Sequence, residues 1–113
     1  MIQATIRMLV APHRRGEVLG ILLSLAERKR FQPGCLSALI YHDEQQEGAF
    51  MVEDVWRSQE DLDHHLRSDD YRKVLLLTEM ALEPPKINFK TISHSAGIEI
   101  IERARGVKIN DPS

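Results

Sequence analysis

The sequence predicts one α+β domain, with a four-stranded antiparallel sheet and the element order β-α-β-β-α-β. Two patterns in the chain lead to this prediction. In residues 2–10 and 86–94 apolar and polar residues alternate with a period of two, which is typical of strands with one buried face, and two further strands are expected on either side of a polar hairpin loop that ends in Gly48. In the stretches between them apolar residues recur at i, i+3, i+4 and i+7, which is typical of helices that pack one side against a sheet. At 113 residues the chain is long enough for a single domain with one modest core.

The elements can be placed one by one from these patterns. The first strand has apolar side chains at every second position from Ile2 to Val10. The first helix follows from an apolar stripe that begins at Val18, and the basic run Arg28-Lys29-Arg30 at its end suits the negative pole of the helix dipole. The predicted elements are a strand over 2–10, a helix over 15–30, strands over 35–41 and 49–56, helices over 58–66 and 68–82, and a strand over 86–94.

Turn and capping residues mark the ends of these elements. Pro12, Pro33-Gly34 and Pro84-Pro85 stop the strand or helix that precedes each of them. Ser58-x-x-Asp61 is a capping box that opens a helix, and Ser68 opens the next helix ten residues later. The second helical region is therefore expected to be broken in two near residue 67.

After residue 95 two interpretations remain open. One is a short helix with Ser95 as its N-cap and Gly106 just past its end, since apolar residues share one helical face. The other is a strand, because Ile98 and Ile100 also alternate. We therefore treat 1–95 as the domain and 96–113 as a C-terminal extension, with residues 107–113 expected to be frayed.

The predicted order is that of the split βαβ, ferredoxin-like fold, in which helices cover one face of the sheet and leave the other bare. We expect Phe50, Val52 and Trp56 to lie on the bare face, where they are too apolar to remain in water. This arrangement predicts a homodimer in which two such faces close into a barrel.

Composition excludes several classes of partner. Fifteen basic and seventeen acidic side chains give a net charge of −2, which provides no electrostatic footprint for nucleic acid. The apolar runs are too short to span a bilayer, and Arg7 interrupts the first of them, so neither a membrane segment nor a signal peptide is expected. The single cysteine, Cys35, cannot form an internal disulfide, which fits a reducing cytoplasm.

A set of motifs between residues 33 and 71 resembles the antibiotic biosynthesis monooxygenase family. The matching positions are Pro33-Gly34-Cys35, Asp54-x-Trp56, Ser58, Glu60, His65-Leu66, Ser68 and Tyr71. The resemblance extends over most of residues 2–94 and implies a dimeric ferredoxin-like α+β barrel. It departs at Asp54, where glutamate is usual in the family, so the carboxylate is set back by one methylene group.

Trp56 and Phe50 are the candidate walls of a substrate cavity, because a flat aromatic surface can stack against a planar ligand. The alternative is that Trp56 is a core residue that anchors the following helix, with its N–H bonded locally. Arg7 and Tyr71 complete the predicted substrate-binding set.

His65 and Asp54 are the candidate catalytic residues. His65 lies nearer the apolar side of its helix than His64, and the pKa of an imidazole suits removal of a phenolic proton. The alternative is a corner histidine that bonds a backbone carbonyl. Asp54 shares strand parity with Trp56, so it could orient a histidine or hold a substrate hydroxyl. Alternatively, Asp54 could form a structural ion pair with Arg7 across the sheet.

No motif for a redox cofactor is present. The histidines and the cysteine lack metal-ligand spacing, and the glycines form neither a phosphate loop nor a dinucleotide fingerprint. An oxygenase of this kind would need a substrate that supplies the electrons itself, such as a hydroquinone or anthrone. Two alternatives stay open, a non-catalytic dimeric barrel that binds a small molecule and a non-oxidative enzyme on the same scaffold. Haem binding, known in relatives with this fold, is disfavoured. Those relatives place the haem-ligating histidine on the longer helix of the second pair, and this chain has no histidine between Arg67 and Ser93.

Overall fold

The computed structural model describes residues 1–109, and its elements follow the predicted order. The four strands form one antiparallel sheet, with the first strand in the centre beside the third and fourth, and the second strand at an edge. The α+β ferredoxin-like prediction is therefore confirmed. The elements are β1 (Ile2–Leu9), α1 (Arg15–Lys29), β2 (Cys35–His42), β3 (Ala49–Trp56), α2 (Gln59–Leu66), α3 (Asp69–Thr78), β4 (Lys86–Thr91) and α4 (Ile98–Arg105).

The core lies between one face of the sheet and helices α1, α2 and α3. In the antiparallel register, Ile2 stands opposite Trp56 and Met8 opposite Phe50, so the apolar positions of β1 and β3 share one face. Val18 of α1 and Val74 of α3 pack into the same cluster. Burial of this shared apolar face is the main stabilising contribution of the fold.

The prediction of which sheet face is bare was wrong. Phe50, Val52 and Trp56 are buried within the single chain, because α1, α2 and α3 cover their side of the sheet. The uncovered face carries the intervening residues of β3, including Glu53, and the exposed Leu39 and Tyr41 of β2. Period-two alternation separates two faces of a strand, but it does not say which face the helices will cover.

The caps of α2 and α3 form as predicted. The Asp61 N–H donates to the Ser58 hydroxyl oxygen at 3.2 Å, and the Tyr71 N–H donates to that of Ser68 at 3.1 Å. Helix α3 ends at Thr78, four residues before the predicted end at Leu82. Leu82 is not helical, because its N–H donates to the Leu9 carbonyl oxygen of β1.

The C-terminal extension contains a helix, so the strand alternative was wrong. The N-cap is Gly97 and not Ser95, and the Gly97 N–H donates to the Glu99 carboxylate at 2.8 Å. Ile98 and Ile101 of α4 remain about half exposed. The predicted frayed tail lies outside the described residues from 110 onward. In 107–109, backbone N–H groups still donate to Glu102.

The longest helix is α1, with 15 residues. None of the helices within residues 1–109 is long and apolar enough to cross a membrane.

The turn between α1 and β2 provides a test of the fold. Gly34 has φ of +82°, and a β-carbon at this position would collide with the carboxylate of Asp61. Gly34→Ala should therefore lower the free energy of unfolding by at least about 1–2 kcal/mol, measured by urea denaturation. Gly20→Ala is the matched control, because a β-carbon there meets open space and should stabilise α1 by about 0.5–1 kcal/mol. Equal effects of the two substitutions would contradict the strained turn.

Candidate active site

A small, largely enclosed cavity between the sheet and the helices gathers most of the ionisable residues of the interior. Its volume is about 10 Å³, which is close to the space that one water molecule occupies. Apolar side chains of β1, β3 and α3 form much of its wall. The polar and aromatic residues that line it are Thr5, Lys29, Asp54, His65, Tyr71 and Phe89.

Asp54, on β3, lies at the centre of this group of residues. One carboxylate oxygen, Oδ1, accepts a hydrogen bond from Lys29 Nζ at 3.0 Å, and the other, Oδ2, accepts one from Trp56 Nε1 at 2.8 Å. Asp54 is 5% exposed and Lys29 is 4% exposed. Such a pair is strongly destabilised if one partner is removed, because the other charge stays buried without compensation. The predicted alternative, an ion pair between Asp54 and Arg7, was wrong.

Lys29 is the site residue that the sequence interpretation missed. From the sequence, the whole basic run 28–30 is expected to lie at the end of α1 and to interact with the helix dipole. In the structure only Lys29 of this run is buried. The signal was present in the spacing, since Lys29 stands seven residues after Leu22 and four after Leu25, and so continues the buried stripe of the helix.

His65 lies on the inward face of α2 and is 2% exposed, whereas its neighbour His64 is exposed. Its ring stacks on Trp56 with centroids 4.7 Å apart, and its Nδ1 is 3.0 Å from Gln32 Oε1. Because an amide oxygen only accepts, Nδ1 carries the proton and Nε2 has a free lone pair. Gln32 was also missed, and no sequence pattern connects two residues 33 positions apart.

The protonation of His65 follows from this environment. Burial lowers the pKa of His65 to about 4, and the positive charge of Lys29 acts in the same direction, while the negative charge of Asp54 opposes both. The imidazole is therefore neutral at pH 7. Its Nε2 is available to accept a proton, although as a weak base.

Tyr71 stands at the other side of the histidine, in the first turn of α3. The two rings meet edge to face with centroids 5.3 Å apart. Burial and the negative charge of Asp54 raise the pKa of Tyr71, so its side chain stays a neutral phenol. The cavity thus offers one hydroxyl donor, one neutral imidazole and one ion pair.

The remaining predicted site residues do not line this cavity. Trp56 lies behind His65, completely buried, with its N–H bonded to Asp54. Phe50 lies four residues before Asp54 on β3, roughly 13 Å away along the strand. Arg7 has the opposite parity on β1, so its side chain lies on the uncovered face and binds Asp43 at 3.0 Å. The structure therefore brings His65, Asp54 and Tyr71 together, with Trp56 as their support.

A second hollow lies at the edge of the sheet between α1 and β2. It is an open groove of about 450 Å³ with a mostly apolar lining. Phe50 belongs to this groove, where it contacts the ring of His42 with centroids 5.3 Å apart. The residues that line the groove are Leu19, Leu23, Ile40, Tyr41, His42 and Phe50.

Within residues 1–109, no three His, Cys, Asp or Glu side chains lie close enough together to hold a metal ion. Cys35 is partly buried near the site, and burial followed by the charge of Asp54 raises the pKa of its thiol. A thiol with a raised pKa is a poor nucleophile at neutral pH.

Solved structures of other proteins share this fold. A candidate antibiotic biosynthesis monooxygenase from Deinococcus radiodurans superposes with a TM-score of 0.80 at 18% identity, over 87% of this chain and 98% of that chain. A conserved protein from Methanosarcina mazei superposes with a TM-score of 0.73 at 24% identity, over 79% of this chain and 89% of that chain. At these identities the similarity establishes the fold alone.

Sequence comparison gives the family. An uncharacterized protein of Synechocystis sp. is 25% identical over 87 residues, which are 76% of this chain but only 59% of that relative's length. A model described as antibiotic biosynthesis monooxygenase matches residues 1–75. Because this match covers 75 of the 113 residues, the chain belongs to the antibiotic biosynthesis monooxygenase family.

Proposed function

We propose that the chain is a cofactor-independent monooxygenase that oxidises a small electron-rich aromatic, of the hydroquinone or anthrone type, with dioxygen. The observation that carries the proposal is a buried, neutral His65 whose Nε2 is free to accept a proton, on the wall of a largely enclosed cavity. Family membership supports the reaction class.

The reaction begins with a proton transfer from the substrate hydroxyl, or from the acidic carbon of an anthrone, to His65 Nε2. The resulting anion is a strong enough reductant to pass one electron to dioxygen, and the two radicals then combine to form a carbon–oxygen bond. Loss of water completes the oxidation, so that a hydroquinone and O₂ give a hydroxyquinone and H₂O. All four electrons that reduce O₂ come from the substrate, two as the hydroquinone becomes a quinone and two as a ring C–H bond is replaced by the new C–O bond. The protein contributes position, a base and a dry site.

The stacked rings keep the base in place. The His65 ring stacks on Trp56 with centroids 4.7 Å apart and meets Tyr71 edge to face with centroids 5.3 Å apart, and its Nδ1–H is fixed by Gln32. With the tautomer set in this way, Nε2 is the nitrogen that faces the reaction. Asp54 is then a positioning residue, because its carboxylate holds both Trp56 and Lys29.

Substrate entry is proposed along the β4 edge of the sheet. Phe89 lines the cavity, and both it and Ile87 point to the helix side of the sheet, yet they are 45% and 43% exposed. Helix α3 ends before it covers β4. A ring-sized substrate would displace Phe89 to enlarge the cavity beyond its 10 Å³.

A second candidate function is a non-catalytic module that binds a small apolar molecule. The observation in its favour is the groove of about 450 Å³ beside β2, which already has the size of a ligand pocket. On this proposal Phe50 would contact the ligand, and His65 would have only a structural role.

A homodimer located in the cytoplasm is also proposed. The homodimer is supported by the uncovered face of the sheet, where Leu39 and Tyr41 are 40% and 46% exposed beside the half-buried Met51 and Val55. A second copy placed over this face would remove those side chains from water. The lone Cys35 fits a reducing compartment.

Dioxygen uptake tests the oxygenase directly. The purified protein should accelerate uptake in the presence of a hydroquinone or anthrone, and His65→Gln should reduce kcat by about 10²–10⁴-fold through loss of the base. His64→Gln is the matched control, because the adjacent side chain is exposed and should leave the rate unchanged. Absence of uptake with every compound, or equal rates in the two variants, would contradict the oxygenase with His65 as its base.

The pH dependence of stability tests the neutral state of His65 without any substrate. The pKa of this group is about 6.5 when unfolded and about 4 when folded, so the unfolded chain binds the extra proton first. The contribution of His65 to the free energy of unfolding is fully present above pH 6.5. It is lost as the pH falls toward 4, which lowers the free energy of unfolding by about 1–2 kcal/mol after allowance for solvent screening. His65→Gln should show a correspondingly flatter profile in urea denaturation between these pH values. Parallel profiles would mean that His65 is not buried in neutral form.

Analytical ultracentrifugation tests the homodimer. The protein should sediment with twice the 13.0 kDa mass of one chain at micromolar concentration. Leu39→Glu, on the uncovered face, should shift it to the single-chain mass, since a charge would be buried in the interface. Leu76→Glu on α3, also an exposed leucine, should leave the dimer intact. A single-chain mass for the unsubstituted protein would refute the dimer.

A further inference from the structure

The geometry points to Lys29 as the group that binds the ionised oxygen of the substrate. The ligand class is then a phenol or enol that enters the cavity neutral and is held there as its anion, with its oxygen against Lys29 Nζ. This inference rests on the proposed function, because it names the substrate group on which the base would act.

Lys29 has unused hydrogen-bond donors inside the site. An ammonium group carries three N–H bonds, and the single acceptor that the described residues provide is Asp54 Oδ1 at 3.0 Å. The side chain is 5% exposed and lines the cavity, so a further acceptor can reach it only from the cavity. An oxygen atom of a bound ligand is the partner that would complete this group.

The Asp54 carboxylate does not fully cancel the effect of this ammonium, because at His65 the positive charge of Lys29 outweighs the negative charge of Asp54. Its second oxygen already accepts the hydrogen bond from Trp56 Nε1 at 2.8 Å. The field of Lys29 also reaches the catalytic histidine, where it disfavours the protonated form. A negative oxygen bound beside Lys29 would therefore be stabilised in a low-dielectric site and would at the same time favour protonation of His65.

Such assistance is needed because His65 is a weak base. With a pKa of about 4 it faces a phenol whose ordinary pKa is near 10, so proton transfer is unfavourable by about six orders of magnitude without help. Binding the anion to Lys29, while the new imidazolium lies next to it, lowers this difference. The proton moves from the ligand oxygen to Nε2, and the total charge of the site does not change.

The same site fits a phenol or enol better than a carboxylic acid or a phosphate. The other walls include the apolar side chains of Ala4, Ile6, Val52 and Val74. A carboxylate or phosphate would have to enter already charged, and one lysine shared with Asp54 would not compensate its desolvation. A neutral hydroxyl enters at low cost and ionises only after it meets both Lys29 and His65.

The test is the ionisation of a bound chromogenic phenol, 4-nitrophenol, followed by its phenolate absorbance without dioxygen. The titration of the bound phenol should be displaced to lower pH by at least one unit relative to the free compound, which is a tenfold or greater preference for the anion. Lys29→Gln should abolish the displacement, because glutamine still donates to Asp54 but carries no charge. Lys73→Gln, at a lysine that is half exposed on α3, is the control and should behave as the unsubstituted protein.

The outcomes are decisive in each direction. Binding of 4-nitrophenol only in its protonated form, an unchanged displacement in Lys29→Gln, no binding at all, or tighter binding of benzoate would each overturn the inference. If Lys29→Gln does not fold, as judged by Trp56 fluorescence, the inference is tested on the unsubstituted protein by measuring its affinity for a series of substituted phenols. Affinity must then rise with the acidity of the phenol, and a flat series refutes the role of Lys29.

This experiment is separable from the oxygenase test. If phenolate binds through Lys29 but no substrate causes dioxygen uptake, the proposed reaction is contradicted and the anion site is supported. If dioxygen uptake persists at full kcat in Lys29→Gln, the proposed reaction is supported and the role of Lys29 in binding the substrate anion is contradicted.

Discussion

The buried ion pair between Lys29 and Asp54 links the end of α1 to the middle of β3, and the rest of the site is arranged around it. Asp54 accepts from both Lys29 Nζ and Trp56 Nε1, and the indole in turn forms the surface on which His65 stacks. Because each charge in the pair is almost completely buried, neither can be left alone without a large cost. This constraint fixes the position of α1 on the sheet and, through Trp56, the plane of the imidazole.

The same pair sets the protonation states near it. Burial of the ring, followed by the ammonium of Lys29, keeps His65 neutral, and burial followed by the carboxylate of Asp54 keeps Tyr71 in its phenol form. A cavity with a neutral base, a neutral hydroxyl and a cation with spare donors is suited to generating an anion from a neutral molecule. No other group of described residues combines these three properties.

The two faces of the sheet have separate roles. The helix-covered face contains the core and the cavity, and the opposite face holds Arg7 in a surface ion pair with Asp43 beside exposed apolar residues of β2. A strand alternates between two environments at every residue, so one strand such as β3 supplies Asp54 to the cavity and Glu53 to the opposite side. The cavity and the uncovered face therefore draw on different side chains of the same four strands.

The sequence alone determined the element order, the capped corners at Ser58 and Ser68, and the common face of Asp54 and Trp56, because these depend on local periodicity and turn chemistry. It also favoured His65 over His64, since adjacent helical positions point about 100° apart. Only the tertiary structure decided which sheet face the helices cover, that Lys29 and not Arg7 pairs with Asp54, and that Gln32 fixes the imidazole. Those contacts join residues more than twenty positions apart, and their partners are chosen by how the helices dock on the sheet, which local patterns do not encode.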